Sequence, residues 1–354
     1  MIIVNEKIQT ISPLVDQFSR TISYLRLSVT DRCNLRCMYC MPDDGEETET
    51  LVKTGRFLSH SDLLSYEELL RVVKLAVSLG MNKIRLTGGE PLVRKGILDF
   101  IHCLSKIEGL EQIRLTTNGV LLQEYGAQLY ESGVHQINVS LDTLKAEKFK
   151  KITGKDKFDD VWNGLMLAID LGFRVKLNVV AMKGVNDDEF VDFARLALES
   201  PFQVRFIEFM PVGDKNSWQR KRFIEADSIR DMVSSEGVLR PFEKHYGAGP
   251  ARMYHIDAPG GRSGSLGFIS PISHHFCENC NRLRLTSEGK FRACLLSDSE
   301  TDLKSLIRSG GSDKDIVESI RQTILNKPQG HMLQEELGGE EKAGCSGRMS
   351  RIGG

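Results

Sequence analysis

The chain has 354 residues, a formal net charge of −1, 27% charged residues and 40% hydrophobic ones. A near-neutral chain carries no global field for nucleic acid or an anionic membrane surface, and no run of eighteen apolar residues exists to span a bilayer. The first twenty residues show neither a basic segment before an apolar core nor an Arg-rich pattern, so no leader is read there and a cytoplasmic location is expected.

Residues 24–30 alternate and are β-prone, which predicts a strand ending just before Cys33-Asn34-Leu35-Arg36-Cys37-Met38-Tyr39-Cys40. Three thiols spaced by three and then two residues suit a 4Fe–4S cluster with one iron uncovered, which a redox catalyst needs and an electron carrier does not. A zinc knuckle or three buried thiols is the alternative, although no histidine lies nearby to complete a zinc site. A polar, acidic loop is expected at 43–54 and a helix over 66–79, stopped by Gly80. The strand at 83–87 runs into Gly88-Gly89-Glu90-Pro91. Further strands are predicted at 112–117, 136–141, 174–181 and 203–210, with helices at 97–107, 121–132, 159–171 and 187–198. This order means right-handed βαβ units on a parallel sheet. Counting the first, there are six strands, short of the eight of a closed barrel.

After Met210 the pattern changes. A short helix fits 227–234, and 246–266, with five glycines and two prolines, reads as irregular loop. A strand at 281–286 pairs with 290–295 through Ser287-Glu288-Gly289, and helices fit 302–308 and 315–325. The expected division is a barrel over 1–225, an appendage over 226–337 and a glycine-rich tail over 338–354, whose last residues, 346–354, are expected to nucleate no helix or strand of their own. A second triplet, Cys277, Cys280 and Cys294, has the spacing C-x2-C-x13-C. It reads as a second open cluster, with zinc a stronger alternative here because His274 and His275 sit just upstream. Of the two remaining cysteines, Cys103 reads as a buried core thiol and Cys345 as incidental.

The strands also carry cations. Arg26, Arg85 and Lys176 alternate with Leu27, Leu86 and Leu177, so they face the lumen if the leucines face the helices. Buried cations are costly unless an anion pairs with them, which argues for a polyanionic ligand. Arg282 and Arg284 share one face of their strand, a geometry suited to bidentate anion binding.

The first triplet, with Tyr39 before its last cysteine, resembles the radical S-adenosylmethionine (SAM) superfamily. With the second triplet, the run Cys277-Glu278-Asn279-Cys280-Asn281-Arg282-Leu283-Arg284 and the terminal Gly353-Gly354, the chain from about residue 24 onward resembles the GTP 3′,8-cyclase family of molybdenum-cofactor biosynthesis. That resemblance implies an open six-stranded (β/α)6 partial barrel of the radical SAM type, with a C-terminal appendage carrying a second Fe–S cluster over its opening. It implies a 4Fe–4S cluster on Cys33, Cys37 and Cys40 and another on Cys277, Cys280 and Cys294. It assigns SAM to Tyr39, Gly89, Ser140 and Met210, and GTP to Arg26, Arg85, Thr116, Lys176, Arg282, Leu283 and Arg284. Arg282, Arg284, Gly353 and Gly354 are expected to act in catalysis, with the tail reaching toward the active site. The implied reaction takes the 3′ hydrogen of GTP with a 5′-deoxyadenosyl radical and closes the sugar onto C8 of guanine. The implied partners are a flavodoxin or ferredoxin as reductant and cyclic pyranopterin monophosphate synthase as product acceptor. A homodimer is compatible with the resemblance, and neither nucleic acid nor membrane is expected. Asp142 reads as a helix cap. The competing readings are a radical SAM peptide maturase and a non-catalytic iron–sulfur or zinc protein.

Overall fold

In the computed structural model, the residues described are 13–41, 50, 57–213, 218–242, 249–331, 345 and 347–353. Gly354, nearly all of the acidic stretch at 43–54 and most of the tail from 338 lie outside them. The first half runs β1 (Tyr24–Ser28), α1 (Tyr66–Ser78), β2 (Lys83–Thr87), α2 (Ile97–Ser105), β3 (Gln112–Thr117), α3 (Leu122–Glu131), β4 (Gln136–Ser140), α4 (Ala146–Thr153) and α5 (Phe158–Asp170). It continues with β5 (Arg174–Ala181), α6 (Phe190–Glu199), β6 (Gln203–Glu208) and α7 (Ala226–Val233). Then come β7 (Val238–Pro241), β8 (Arg252–Asp257), β9 (Ser263–Ile269), β10 (Arg282–Leu285), β11 (Lys290–Arg292) and β12 (Thr301–Asp302), followed by α8 (Leu303–Arg308), α9 (Asp313–Leu325) and α10 (Met349–Ile352).

Local chemistry accounts for the elements. A reciprocal capping box of Ser65 and Glu68 starts α1. Alternation in the strands puts Leu25, Leu27, Ile84, Leu86, Ile113 and Leu115 on the helix side, where each is buried. Burying one such side chain contributes about 1.5–3 kcal/mol, and the opposite face is left to polar residues.

The strands form one twelve-stranded sheet in the order β12-β11-β10-β1-β2-β3-β4-β5-β6-β9-β8-β7. The six expected strands are all present, but both edges are extended. β10 joins β1 in parallel, and β9 joins β6 in parallel. Residues 246–266 are thus not loop throughout, since β8 and β9 form an antiparallel ladder. Glycine content suggested a loop because composition is local, whereas the partner of β9 is a strand some sixty residues upstream. Among the described residues no helix is long and apolar enough to cross a membrane.

Three smaller expectations are corrected. Cys103 is exposed, because it lies off the α2 stripe of Ile97, Phe100, Ile101 and Leu104. Cys345 is 3% exposed and packs with Val212 and Ile352 in a small second core beside Met210. The end of the chain, expected to form no element of its own, forms the single-turn helix α10. So short a helix is marginal alone, and burial of Ile352 in this second core supplies what its sequence does not.

Candidate functional site

The register across the sheet sets the chemistry. Arg284 of β10 is paired with Arg26 of β1, Arg26 with Arg85 of β2, and Arg85 with Arg114 of β3. Four guanidinium side chains therefore stand directly abreast on four adjacent strands, where like charges repel. They line one cavity together with Arg282, Lys176 and Arg205, and among the described residues no Asp or Glu lines it. Burial, with Arg205, Arg114, Arg85 and Arg174 nearby, pushes the Lys176 ammonium down to about 6. Burial and the neighbouring Arg282 lower Arg284 to about 9. Burial pushes the Tyr24 phenol up, but Arg85, Arg26 and Arg114 outweigh it and bring it down to about 8. Among the described residues Nε of Arg114, Nε of Arg205 and Oδ1 of Asn138 and Asn178 are buried without a partner. A cavity with orphaned donors and mutually repelling cations is built for a polyanion.

Arg85 donates to the Tyr24 hydroxyl at 2.6 Å, to the Leu115 carbonyl at 3.0 Å and to the Thr116 hydroxyl at 3.3 Å. Of the residues expected to meet GTP, Arg26, Arg85, Thr116, Lys176, Arg282 and Arg284 line the cavity. Leu283 does not. It is 1% exposed and packs in the main core, because the pleat that aims Arg282 and Arg284 inward turns it outward. The sequence reading missed Arg114 and Arg205, although both obey the same alternation, Arg114 two residues before Thr116 and Arg205 two after Gln203.

The first cysteine loop follows β1. Backbone N–H groups of Arg36 and Met38 donate to the carbonyls of Thr153 and Ile152 at 2.7 and 2.9 Å, anchoring the loop on α4. Gly88 and Gly89 allow the next loop to pack on it. A Cβ on Gly88 would fall 2.4 Å from the Thr30 carbonyl oxygen, and one on Gly89 2.4 Å from that of Arg32. Glu90 is fully buried and accepts from Thr117 Oγ1 at 2.9 Å and the Asn118 N–H at 2.6 Å. Asn118 in turn donates to Asn34 Oδ1 at 2.7 Å and lies 3.6 Å from Cys33 Sγ. Glu90 and Asn118 carried no sequence signal as a pair, since 28 residues separate them.

Tyr39 donates to Asp142 Oδ2 at 2.6 Å, and Asp142 Oδ1 accepts the Val180 N–H at 2.8 Å. Asp142 is thus a partner of the cysteine loop rather than a helix cap, and burial pushes its carboxyl up to about 6. Phe209 packs edge-on to Tyr39. Next to it, Met210 lines the cavity two residues beyond β6, and Ser140 ends β4. The four residues expected to meet SAM are thus spread over the Cys33–Cys40 loop, the loop after β2, β4 and the end of β6.

Burial raises Cys33 to about 11 and Cys40 to about 12, so thiolates form here only with a strong local cation, as a metal supplies. Among the described residues no three His, Cys, Asp or Glu side chains converge as a single-ion site requires. Three thiols match a four-iron cluster in which three irons each take one thiolate and the fourth stays open.

The second triplet lines the cavity itself. Burial raises Cys280, but Arg282 and Lys327 outweigh it and bring the thiol down to about 6, a site that favours thiolate. His274 is held by Asp227 at 2.8 Å, which turns one histidine of the zinc alternative away from these thiols.

The tail enters between the two triplets. Arg284 donates to the Gly353 carbonyl at 2.7 Å, and the Ser350 backbone reaches Cys40. Arg351 pairs with Glu288 at 2.6 Å and lies 3.8 Å from Asp31. Gly353 sits at φ 81° against Ser28 and Thr87.

Residues 27–197 match the family model of the Radical SAM superfamily, and residues 202–333 match that of Molybdenum Cofactor Synthesis C. The chain is 49% identical over 317 residues to the GTP 3′,8-cyclase of Thermodesulfovibrio yellowstonii, covering 89% of this chain and 94% of the relative. It is 46% identical over 345 residues to that of Heliobacterium modesticaldum, covering 96% and 100%. In fold it is similar to the crystal structure of Streptococcus suis SuiB, with TM-score 0.58, 14% identity and coverage of 94% of this chain and 77% of that one.

Proposed function

Because this chain belongs to the GTP 3′,8-cyclase family, we propose that its two cysteine triplets and its row of lumen arginines divide the work of one radical reaction. The chain is a radical SAM enzyme with two 4Fe–4S clusters and SAM as cofactors, and family membership sets aside the maturase and non-catalytic readings. Bound SAM would supply the 5′-deoxyadenosyl radical that takes the 3′ hydrogen of GTP; bonding of C3′ to C8, followed by one electron from the reductant and one proton, would give (8S)-3′,8-cyclo-7,8-dihydroguanosine 5′-triphosphate.

Cys33, Cys37 and Cys40 would hold the SAM cluster, and Cys277, Cys280 and Cys294 the second. Tyr39, fixed by Asp142, and Gly89, Ser140 and Met210 would seat SAM. The triphosphate would lie on the row of Arg284, Arg26, Arg85 and Arg114, with Lys176 and Arg205 beside it. This row carries the reading, because its four guanidiniums stand abreast and repel one another, and an anion of several charges would relieve that repulsion. Arg282 sits against Cys280, so it links the substrate end to the second cluster. Holding the sugar in one pose while excluding water is the protein's share of the catalysis.

We divide the chain at 225 and 338, as barrel, appendage and tail. We also read a flavodoxin- or ferredoxin-like reductant, a following cyclic pyranopterin monophosphate synthase and a cytoplasmic location as fitting this chemistry. The test is metal and turnover analysis of anaerobic protein. Wild type is expected to hold about eight irons and no stoichiometric zinc. Replacing Cys33, Cys37 or Cys40 should abolish SAM cleavage. Replacing Cys277, Cys280 or Cys294 should spare uncoupled cleavage and stop product formation. Loss of all SAM turnover in the second set, with the fold intact, would overturn the division.

A further inference from the structure

The second triplet comes from two arms, Cys277 and Cys280 before β10 and Cys294 after β11. The strap at 327–329 is stitched to both. Lys327 is 4% exposed, and its Nζ donates to the Arg282 carbonyl at 3.0 Å and to the Ala293 carbonyl. Those carbonyls stand two residues from Cys280 and one from Cys294. The next two carbonyls of the strap, Pro328 and Gln329, accept from the Arg20 guanidinium at 2.6 and 2.9 Å, and the same guanidinium donates to the Cys277 carbonyl at 2.8 Å. Asp16, buried with Arg20 at 2.6 Å, holds that guanidinium in place.

Lys327 is not part of the cavity lining, so it is not one of the substrate cations. Its ammonium is buried, and it makes no ion pair with a carboxylate among the described residues. Such a charge is costly unless an anion compensates it, and among the described residues the groups within electrostatic reach that can do so are Cys280 and Cys294 once they are thiolates. We propose that Lys327 is a positioning residue for the second cluster, tying its two cysteine arms together and offsetting the negative charge that its thiolate ligands bring. This rests on the two-cluster reading above. Net charge and hydrogen bonding around a cluster set its reduction potential, so loss of this cation makes the second cluster harder to reduce and leaves the first unchanged.

The test compares anaerobic, cluster-loaded wild type with Lys327→Gln, which keeps an N–H donor without charge, and Lys327→Met, which keeps neither. Iron content and the midpoint potential of each cluster, followed by electron paramagnetic resonance, are the readouts. Lys327→Gln should keep about eight irons and shift only the second cluster to a more negative potential. Lys327→Met should fall toward about four irons with its circular dichroism unchanged. An unshifted second cluster in Lys327→Gln overturns the charge offset, and a full iron complement in Lys327→Met overturns the tie. If Lys327→Met does not fold, Lys327→Gln decides alone. A wild type with only about four irons defeats the two-cluster reading itself, whereas a normal wild type with unshifted variants defeats only this inference.

Discussion

Replacing Gly353 with alanine tests whether the tail takes part in the radical step. At φ 81° an alanine there costs about 1–2 kcal/mol. Its Cβ would fall 2.4 Å from Thr87 Cγ2 and 3.2 Å from Ser28 Cβ, and both residues are buried, so overpacking adds about 1–3 kcal/mol. Together, about 2–5 kcal/mol shifts the balance between docked and withdrawn tail by roughly 30- to 4,000-fold. Against this stands the charge-assisted bond from Arg284 to the Gly353 carbonyl, worth about 1.5–3 kcal/mol. The docked tail should therefore lose population to the withdrawn one, while the residues proposed to hold the clusters and the triphosphate stay in place. The assay is transfer of deuterium from 3′-deuterated GTP to 5′-deoxyadenosine, with iron content and the Kd for GTP measured alongside. Transfer should fall at least about tenfold, with iron content and Kd near wild type. Adding Thr87→Ser removes the methyl that clashes and should recover the steric part of the loss but not the backbone part. Full transfer by Gly353→Ala refutes the role given to the tail, and no recovery in the double variant refutes the steric argument.

Two further predictions concern the cations. Arg114→Ala should raise the Kd for GTP by about ten- to hundred-fold, the value of a lost charge-assisted contact, and leave SAM binding nearly unchanged. Because it also removes a like charge from the row, it should not lower the Tm of the ligand-free protein. Calorimetric titration and thermal melts check both, and equal losses for GTP and SAM would make Arg114 structural. Lys176 has a folded pKa of about 6 against about 10.4 in the unfolded chain. Between those values the native state binds fewer protons than the unfolded one, so this group's contribution to stability rises with pH. A bound triphosphate restores the charged form, so GTP binding near pH 8 should take up protons. Calorimetry in buffers of different ionisation enthalpy measures that uptake, and Lys176→Met should lower it. An unchanged uptake in that variant would remove Lys176 from the phosphate site.

Much of the site was legible because its signals are local. Thiol spacing shows how many irons are covered before any contact is known. Period-two alternation alone aims Arg26, Arg85 and Lys176 away from their leucine neighbours, and would equally have found Arg114 and Arg205. Leu283, between Arg282 and Arg284, has its side chain in the core, so a contact of this residue with GTP would run through its backbone, which alternation does not read.

The order of the β-prone segments, the two triplets and the inward cations were thus determined by the sequence itself, since each depends on residues only a few positions apart. Tertiary structure alone decided that β10 lies beside β1, which sets Arg284 abreast of Arg26 and turns scattered arginines into one row. It also decided that α10 forms at all, that Cys345 is buried, that Asp142 serves Tyr39, and that Lys327 bridges the two arms of the second triplet. These contacts join residues tens to hundreds of positions apart. They depend on which sheet edge and which buried carbonyl remain to be satisfied once the local elements have formed, and no local pattern in the chain records that.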